Sequence, residues 1–268
     1  MNRIEHKFNE LKREGKKAFI AYITAGYPDL SVTRKLILGF SRIGVDIIEL
    51  GVPFSDPMAD GPIIQEAFQS ALEKGITLKK VLDLVKAVRK DTAVPICLMT
   101  YYNPIFCFGE AKFVKEASLC GVDGVIIPDL PPEEGKKLIR LAAKYNLDTI
   151  FFLSPTSTIE RIKLVSSAAK GFIYYVSLTG VTGPRAKLPA DLSAGVRRIK
   201  KYTDKPVCVG FGVSSTEQVA KLSKFSDGAI IGSAIISKIK ENLHKKELVQ
   251  IVVKFTATLN SHSDLCRR

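Results

Sequence analysis

Apolar positions along this chain follow two alternating rhythms. Short, almost continuous runs rich in β-branched residues, such as Ala18-Phe19-Ile20-Ala21-Tyr22-Ile23-Thr24, read as buried strands. Longer stretches with apolar residues three and four apart read as amphipathic helices. The runs place strands near 18–24, 46–50, 94–100, 124–127, 149–153, 172–177, 206–210 and 228–231, each followed by a helical segment. A helix from Arg3 to Lys17, carrying Ile4, Phe8 and Leu11 on one face, precedes the first strand and is expected to lie across one end of the core. Another runs from about Leu30 to Ile43. The interval between the second and third strands is the longest; it holds a polar loop, one extra helix (Ile63 to Leu72) and the regular helix (Leu78 to Arg89).

Strands apolar on both faces, separated by amphipathic helices, suit a parallel sheet clothed by helices. Eight such units favour closure, so the expected fold is α/β: a (β/α)8 TIM barrel with an extra N-terminal helix and an extra helix after strand 2. An open doubly wound sheet is the runner-up, but no G-x-G-x-x-G opens a helix here. Gly44-Val45-Asp46, Gly121-Val122-Asp123 and Phe225-Ser226-Asp227, each ending a helix and leading into a strand, mark a weak internal echo. A chain of 268 residues without a Pro-, Gly- or Ser-rich linker is expected to form one domain, 1–268.

Composition narrows the functional classes. No run approaches the roughly 18 apolar residues of a membrane span, and the charged start Met1-Asn2-Arg3-Ile4-Glu5-His6-Lys7 does not resemble a signal peptide, so a cytoplasmic location is expected. The net charge of +13 comes from lysines scattered through helices (Lys79-Lys80, Lys136-Lys137, Lys200-Lys201, Lys245-Lys246) and not interleaved with aromatics, which argues against nucleic acid or a membrane surface as partner. Cys97, Cys107, Cys120, Cys208 and Cys266 are widely spaced and read as free thiols, Cys97 and Cys208 as core packing. His6, His244 and His262 are assigned to charged terminal helices, which excludes a histidine base and argues against a metal site.

The second strand and the loop after it concentrate the candidate chemistry. Period-two alternation sends Ile47 and Glu49 to one side and Ile48 and Leu50 to the other. Past Gly51, prolines and polar residues forbid regular structure until Pro62, whose fixed φ suits the first turn of a helix. Glu49 and Asp60 thus meet one mouth. A glutamate in apolar surroundings loses hydration and its pKa rises above about 4.3, which makes a proton donor. Singly, Glu49 reads equally well as an acid reaching water or a lysine, and Asp60 as a helix cap before Gly61-Pro62.

In a barrel the loops after the strands share one face: Ala25 to Asp29, Gly51 to Gly61, Tyr101 to Gly109, Pro128 to Glu133, Ser154 to Thr158, Ser177 to Pro189, Gly210 to Ser215, and Gly232-Ser233. Gly210-Phe211-Gly212-Val213-Ser214 and Gly232-Ser233 follow strands seven and eight, where backbone N–H groups can surround a phosphate; alternatively these glycines only let the chain turn. The loop from Ser177 to Pro189 reads as a lid that closes on ligand.

Taken together, these stretches resemble the tryptophan synthase alpha chain family over nearly the whole length. The resemblance is carried by Glu49-Leu50-Gly51-Val52-Pro53-Phe54-Ser55-Asp56-Pro57-Met58-Ala59-Asp60-Gly61-Pro62-Ile63-Ile64-Gln65. It is supported by Ile23-Thr24-Ala25-Gly26-Tyr27-Pro28-Asp29, Met99-Thr100-Tyr101-Tyr102-Asn103-Pro104-Ile105, Gly180-Val181-Thr182-Gly183, Gly210-Phe211-Gly212 and Gly232-Ser233. It implies a barrel that cleaves indole-3-glycerol phosphate to indole and glyceraldehyde 3-phosphate without metal or organic cofactor. Glu49 would be the acid-base and Asp60 the partner of the indole nitrogen. Tyr22, Met99, Ile126 and Phe211 would line the indole pocket, Tyr174 would help hold substrate, and Gly183, Gly212, Gly232 and Ser233 would bind phosphate, with Thr182 closing onto Asp60. The resemblance also implies a pyridoxal-phosphate-bearing beta chain in an α2β2 heterotetramer. Departures are mild: Ala21 stands where a proline is common and Leu178 where an arginine sometimes stands. The alternative is a catalytically weak barrel kept mainly to activate its partner.

Overall fold

The computed structural model describes residues 2–176, 191–210 and 212–261. Its strands are β1 (Ala18–Thr24), β2 (Ile47–Gly51), β3 (Ile96–Met99), β4 (Gly124–Ile126), β5 (Asp148–Leu153), β6 (Ile173–Val176), β7 (Val207–Gly210) and β8 (Gly228–Ile231). Each pairs in parallel with the next, and β8 pairs with β1 through Ala18 and Gly228, which closes the barrel and removes the open-sheet alternative. One register line runs from Tyr22 through Glu49, Cys97 and Gly124 to Asp148, and another from Phe152 through Tyr174, Cys208 and Gly228 to Ala18. The four-residue offset within β5 and the equal one within β1 make the eight-residue stagger that tilted strands need in order to close.

Twelve helices are described: α1 (Arg3–Glu14), α2 (Leu30–Arg42), α3 (Pro62–Glu73), α4 (Leu78–Val88), α5 (Tyr102–Phe108), α6 (Glu110–Cys120), α7 (Lys136–Lys144), α8 (Ile159–Ala168), α9 (Leu192–Lys200), α10 (Thr216–Ser223), α11 (Ser233–Lys240) and α12 (Leu248–Asn260). The expected boundaries hold to within a few residues, including the extra helices α1 and α3. Two expectations need correction. Tyr101 to Gly109, read as loop, is largely α5: Pro104 falls in its first turn, where no N–H is required, and Asp129 of the next loop accepts the Tyr102 N–H at 2.9 Å. That capping partner lies 27 residues away, beyond any local signal. His244 lies in the connection between α11 and α12 and not in a helix.

The floor, at the strands' N-terminal ends, is sealed by α1. Ile4, Phe8 and Leu11 are buried, and a Cβ added at Gly124 would stand 2.9 Å from Ile4 Cδ1, so the missing side chain admits the helix. The aspartates of the internal echo all serve this floor. Asp46 accepts the Phe19 N–H at 2.8 Å, Asp123 the Ile96 N–H at 2.8 Å and Asp227 the Val207 N–H at 2.9 Å. Each also donates its own N–H to the carbonyl of that same residue, so the carboxylate extends the strand ladder by one bond.

Candidate active site

At the opposite end, Glu49 sits in the middle of β2 on the interior side. It shares that side with Tyr22 of β1 and Cys97 of β3, its register partners. Only 3% of its surface is exposed, and Oε2 has no hydrogen-bond partner among the described residues. Oε2 therefore meets neither water nor a lysine of the described residues. Burial first, and the charge of Asp60 second, push its pKa up to about 8.

Asp60 is also 3% exposed. The loop leaves β2 with Val52 donating to Met99 O at 2.8 Å and turns back where Asp60 N–H donates to Pro57 O at 3.0 Å. Its carboxylate does not cap α3, whose N-cap is Gly61 without a side-chain bond, followed by Pro62. Instead Oδ2 accepts the Tyr101 hydroxyl at 2.7 Å, while Gln65 Nε2 donates to the Asp60 carbonyl at 2.8 Å. Burial raises the Asp60 pKa to about 6, against the lowering effect of the Tyr101 bond. Near neutral pH the mouth therefore holds one carboxylic acid, Glu49, and one carboxylate, Asp60.

Around this pair the barrel supplies apolar walls. Gly51, Met99 and Ile126 form the next register line beyond Glu49, on the same interior side. Gly51 is required by close approach: a Cβ there would lie 2.3 Å from the Tyr22 hydroxyl, which sits 3.3 Å from Thr24 Oγ1. Tyr174 leans over Gly210 in the same manner and packs against Phe152 with ring centroids 4.8 Å apart. Burial raises the pKa of both tyrosines well above the usual range; the Asp60 charge adds to it at Tyr22, and the Glu49 charge at Tyr174. The structure thus brings Glu49, Asp60, Tyr22, Met99, Ile126 and Tyr174 to one end. Tyr101, buried at the end of β3 and stacked on Phe54 at 5.1 Å, joins them. Sequence reasoning gave Tyr101 no role, although its place just past a barrel strand was a usable signal.

The ends of β7 and β8 carry Gly212, Gly232 and Ser233. Gly212 has φ +53, the left-handed region that glycine enters without a steric cost. The N-terminus of α10 is self-capped, since Gln218 Oε1 accepts the N–H of Ser214 at 2.8 Å and of Ser215 at 3.3 Å. α11 has no such cap: it starts at Ser233 behind Gly232, which offers no side-chain bond, directly after the C-terminal end of β8. Thr182, Gly183 and Phe211, with the loop read as a lid, lie outside the described residues. Outside the barrel wall, a groove of about 690 Å³ runs along the Asp60 loop and α3, lined by Phe54, Pro57, Met58, Pro62, Gln65 and Gln69. Among the described residues no three His, Cys, Asp or Glu side chains group as a metal site would require, and no helix is long and apolar enough to cross a membrane.

Comparison with known proteins bears on this arrangement. The family model described as "Tryptophan synthase alpha chain" matches residues 8–265. The tryptophan synthase alpha chain of Caldanaerobacter subterraneus is 46% identical over 259 residues, 97% of this chain and 98% of that one. That of Geobacter sulfurreducens is 48% identical over the same shares of the two chains. Among solved structures, tryptophan synthase subunit alpha from Legionella pneumophila superposes with a TM-score of 0.91 at 37% identity, covering 98% of this chain and 99% of that one. A chain of tryptophan synthase from Mycobacterium tuberculosis superposes equally well, TM-score 0.91 at 33% identity, with 98% of each chain covered.

Proposed function

Because this chain belongs to the tryptophan synthase alpha chain family, we infer that its barrel mouth carries out retro-aldol cleavage of indole-3-glycerol phosphate to indole and glyceraldehyde 3-phosphate. The observation that carries the residue assignment is the pair of buried carboxylates at one mouth, Glu49 with Oε2 unpartnered among the described residues and Asp60 accepting the Tyr101 hydroxyl. Glu49, as the acid, delivers a proton to indole C3, and positive charge gathers on the ring nitrogen. Asp60, as the anion, accepts that N–H and stabilises the charge, in surroundings that water does not screen. Glu49, now a carboxylate, removes the proton of the hydroxyl beside C3. The C–C bond then breaks, its electrons restore the indole, the hydroxyl carbon becomes the aldehyde, and Glu49 is protonated again.

The ring itself is the electron sink, so the reaction asks for no metal or organic cofactor on this chain. Tyr22, Met99 and Ile126 are assigned to the indole pocket and Tyr174 to the substrate wall. Gly212, Gly232 and Ser233 are assigned to the phosphate, with α11's N-terminal amides facing its charge. The family works with a beta chain, and an α2β2 assembly with a pyridoxal-phosphate-bearing beta chain is the arrangement proposed here. Met58 at 79% exposure, on the Asp60 loop, and Phe106 at 65%, in α5, lie beside the same mouth and support docking there. We place the assembly in the cytoplasm, a reducing compartment that suits free Cys97, Cys107, Cys120 and Cys208.

The test is to assay the full chain, alone and mixed with a beta chain of the family, for release of both products from indole-3-glycerol phosphate. Release of indole and glyceraldehyde 3-phosphate in equal amounts is expected. A chain that stimulates the beta chain's use of added indole yet releases neither product would be an activating subunit and not a lyase.

A further inference from the structure

We propose that Tyr101 is a positioning residue for this cleavage: its hydroxyl bridges the Asp60 carboxylate and the Ala59 N–H, and so fixes where the Asp60 anion stands in the mouth. The inference rests on the lyase reading above. Tyr101 is 1% exposed and occupies the N-cap position of α5, at the end of β3, so its ring is anchored in the barrel wall and not in the loop it holds. Phe54, two residues beyond Val52, stacks on that ring with 5.1 Å between centroids and 27° between planes.

The direction of the bridge is forced. Ala59 N–H can only donate, and it does so to Tyr101 Oη at 2.9 Å. The phenol's single proton is then free for Asp60 Oδ2, 2.7 Å away, a short contact suited to a hydroxyl on a carboxylate. One hydroxyl thus pins both the backbone and the side chain of the loop that brings Asp60 to Glu49. Among the described residues the titratable groups facing Asp60 are Tyr22 from β1, Glu49 from β2, Tyr101 from the β3–α5 junction and Tyr174 from β6, with no cation. Of these, Tyr101 makes the hydrogen bond, which favours the charged form of Asp60 over the neutral one.

Tyr101→Phe keeps the ring and its stacking on Phe54 but removes the bridge. In the full chain with a beta chain, kcat/KM for indole-3-glycerol phosphate should fall roughly 10- to 100-fold at pH 7, the range for a lost hydrogen bond to a charged group. The acid limb of the pH profile should move upward, because Asp60, at about 6 with the bond, loses the contact that holds its pKa down. Affinity for glycerol 3-phosphate, measured by calorimetry, should stay as in the parent, since the phosphate site lies at the ends of β7 and β8. An unchanged kcat/KM, or a fall of equal size at every pH with the acid limb in place, overturns the proposal. A second variant guards against misfolding: 3,5-difluorotyrosine at position 101 keeps ring and donor but strengthens the donor, and should move the acid limb downward. An unmoved limb there overturns the proposal as well. A parent chain that cleaves nothing in the same assay would instead bring down the lyase reading.

Discussion

At the floor of the barrel Asp46, Asp123 and Asp227 each accept a strand N–H, and Asp123 also meets Arg3 at 2.7 Å and Arg89 at 2.6 Å. Among the described residues at the mouth, Glu49 Oε2 accepts nothing and the Asp60 carboxylate is bonded to one phenol. The Asp123, Glu49 and Asp60 carboxylates are equally buried, at 3% exposure each. Burial is therefore not what separates structural from chemical acids in this protein; the supply of donors is. Where donors surround the carboxylate it holds strands in place. Where they are withheld, desolvation raises the pKa into the range in which a proton can be given and taken.

Glu49→Gln breaks the contrast at the mouth and carries the largest expected effect. The amide keeps the volume but cannot transfer a proton, so cleavage should fall by about 10²- to 10⁴-fold, while folding and beta-chain stimulation persist. The linkage sign adds a second readout. Glu49 has its folded pKa, about 8, above the ordinary value, so ionisation disfavours the fold increasingly as pH rises toward 8. Melting of the Gln variant should therefore gain on the parent with rising pH, and near-normal cleavage by this variant would remove Glu49 from the mechanism.

Asp123→Ala breaks the contrast at the floor. It takes the carboxylate from Arg89, whose side chain is 11% exposed and keeps its bonds to the carbonyls of Gly121, Thr92 and Val94, and it removes the acceptor of the Ile96 N–H. Removing one member of a buried pair costs about 3–5 kcal/mol, whereas the Arg3 contact, 46% exposed on the arginine side, adds little. Urea unfolding should show this loss, and folded variant should keep the parent's kcat. A loss confined to activity would mean that the floor acid belongs to the chemistry.

The sequence made the two ends unequally legible. Strand positions and the barrel came from periodicity, because strands buried on both faces write themselves as apolar runs whatever their neighbours. Glu49 and Asp60 stood out as acids in a setting where acids are costly. The echo that ends in Asp46, Asp123 and Asp227 was visible as a pattern, but its meaning required the register, since each carboxylate acts on a residue of the preceding strand. Tyr101 and α5 were hidden for the same reason: the contacts that define them come from Asp60 and Asp129, 41 and 27 residues away. The phosphate turns gave an ambiguous signal, because glycine permits both a tight turn and an approaching anion.

Asp148 is the acid that crosses the comparison, and it carries the smallest effect. It lies at the floor, at the start of β5, yet resembles the mouth: 6% exposed, with Oδ2 unpartnered among the described residues and only 3.0 Å from where a Gly171 side chain would begin. Burial pushes its pKa up to about 7; Lys170 opposes this, and Glu5 and Asp123 reinforce it. Its folded value thus exceeds the unfolded value of about 3.9, so the fold bears no penalty from this group at acid pH, an increasing one as pH climbs toward 7, and a constant one above. Asp148→Asn should match the parent in urea at pH 4 and exceed it by about 1–2 kcal/mol at pH 8, the order of one unsatisfied buried group. Cleavage should be unaffected, since no mouth residue touches it. A stability difference that is the same at both pH values would show that donors reach Asp148 after all. The acid would then belong with Asp46, Asp123 and Asp227, and withheld donors would be a property of the mouth alone.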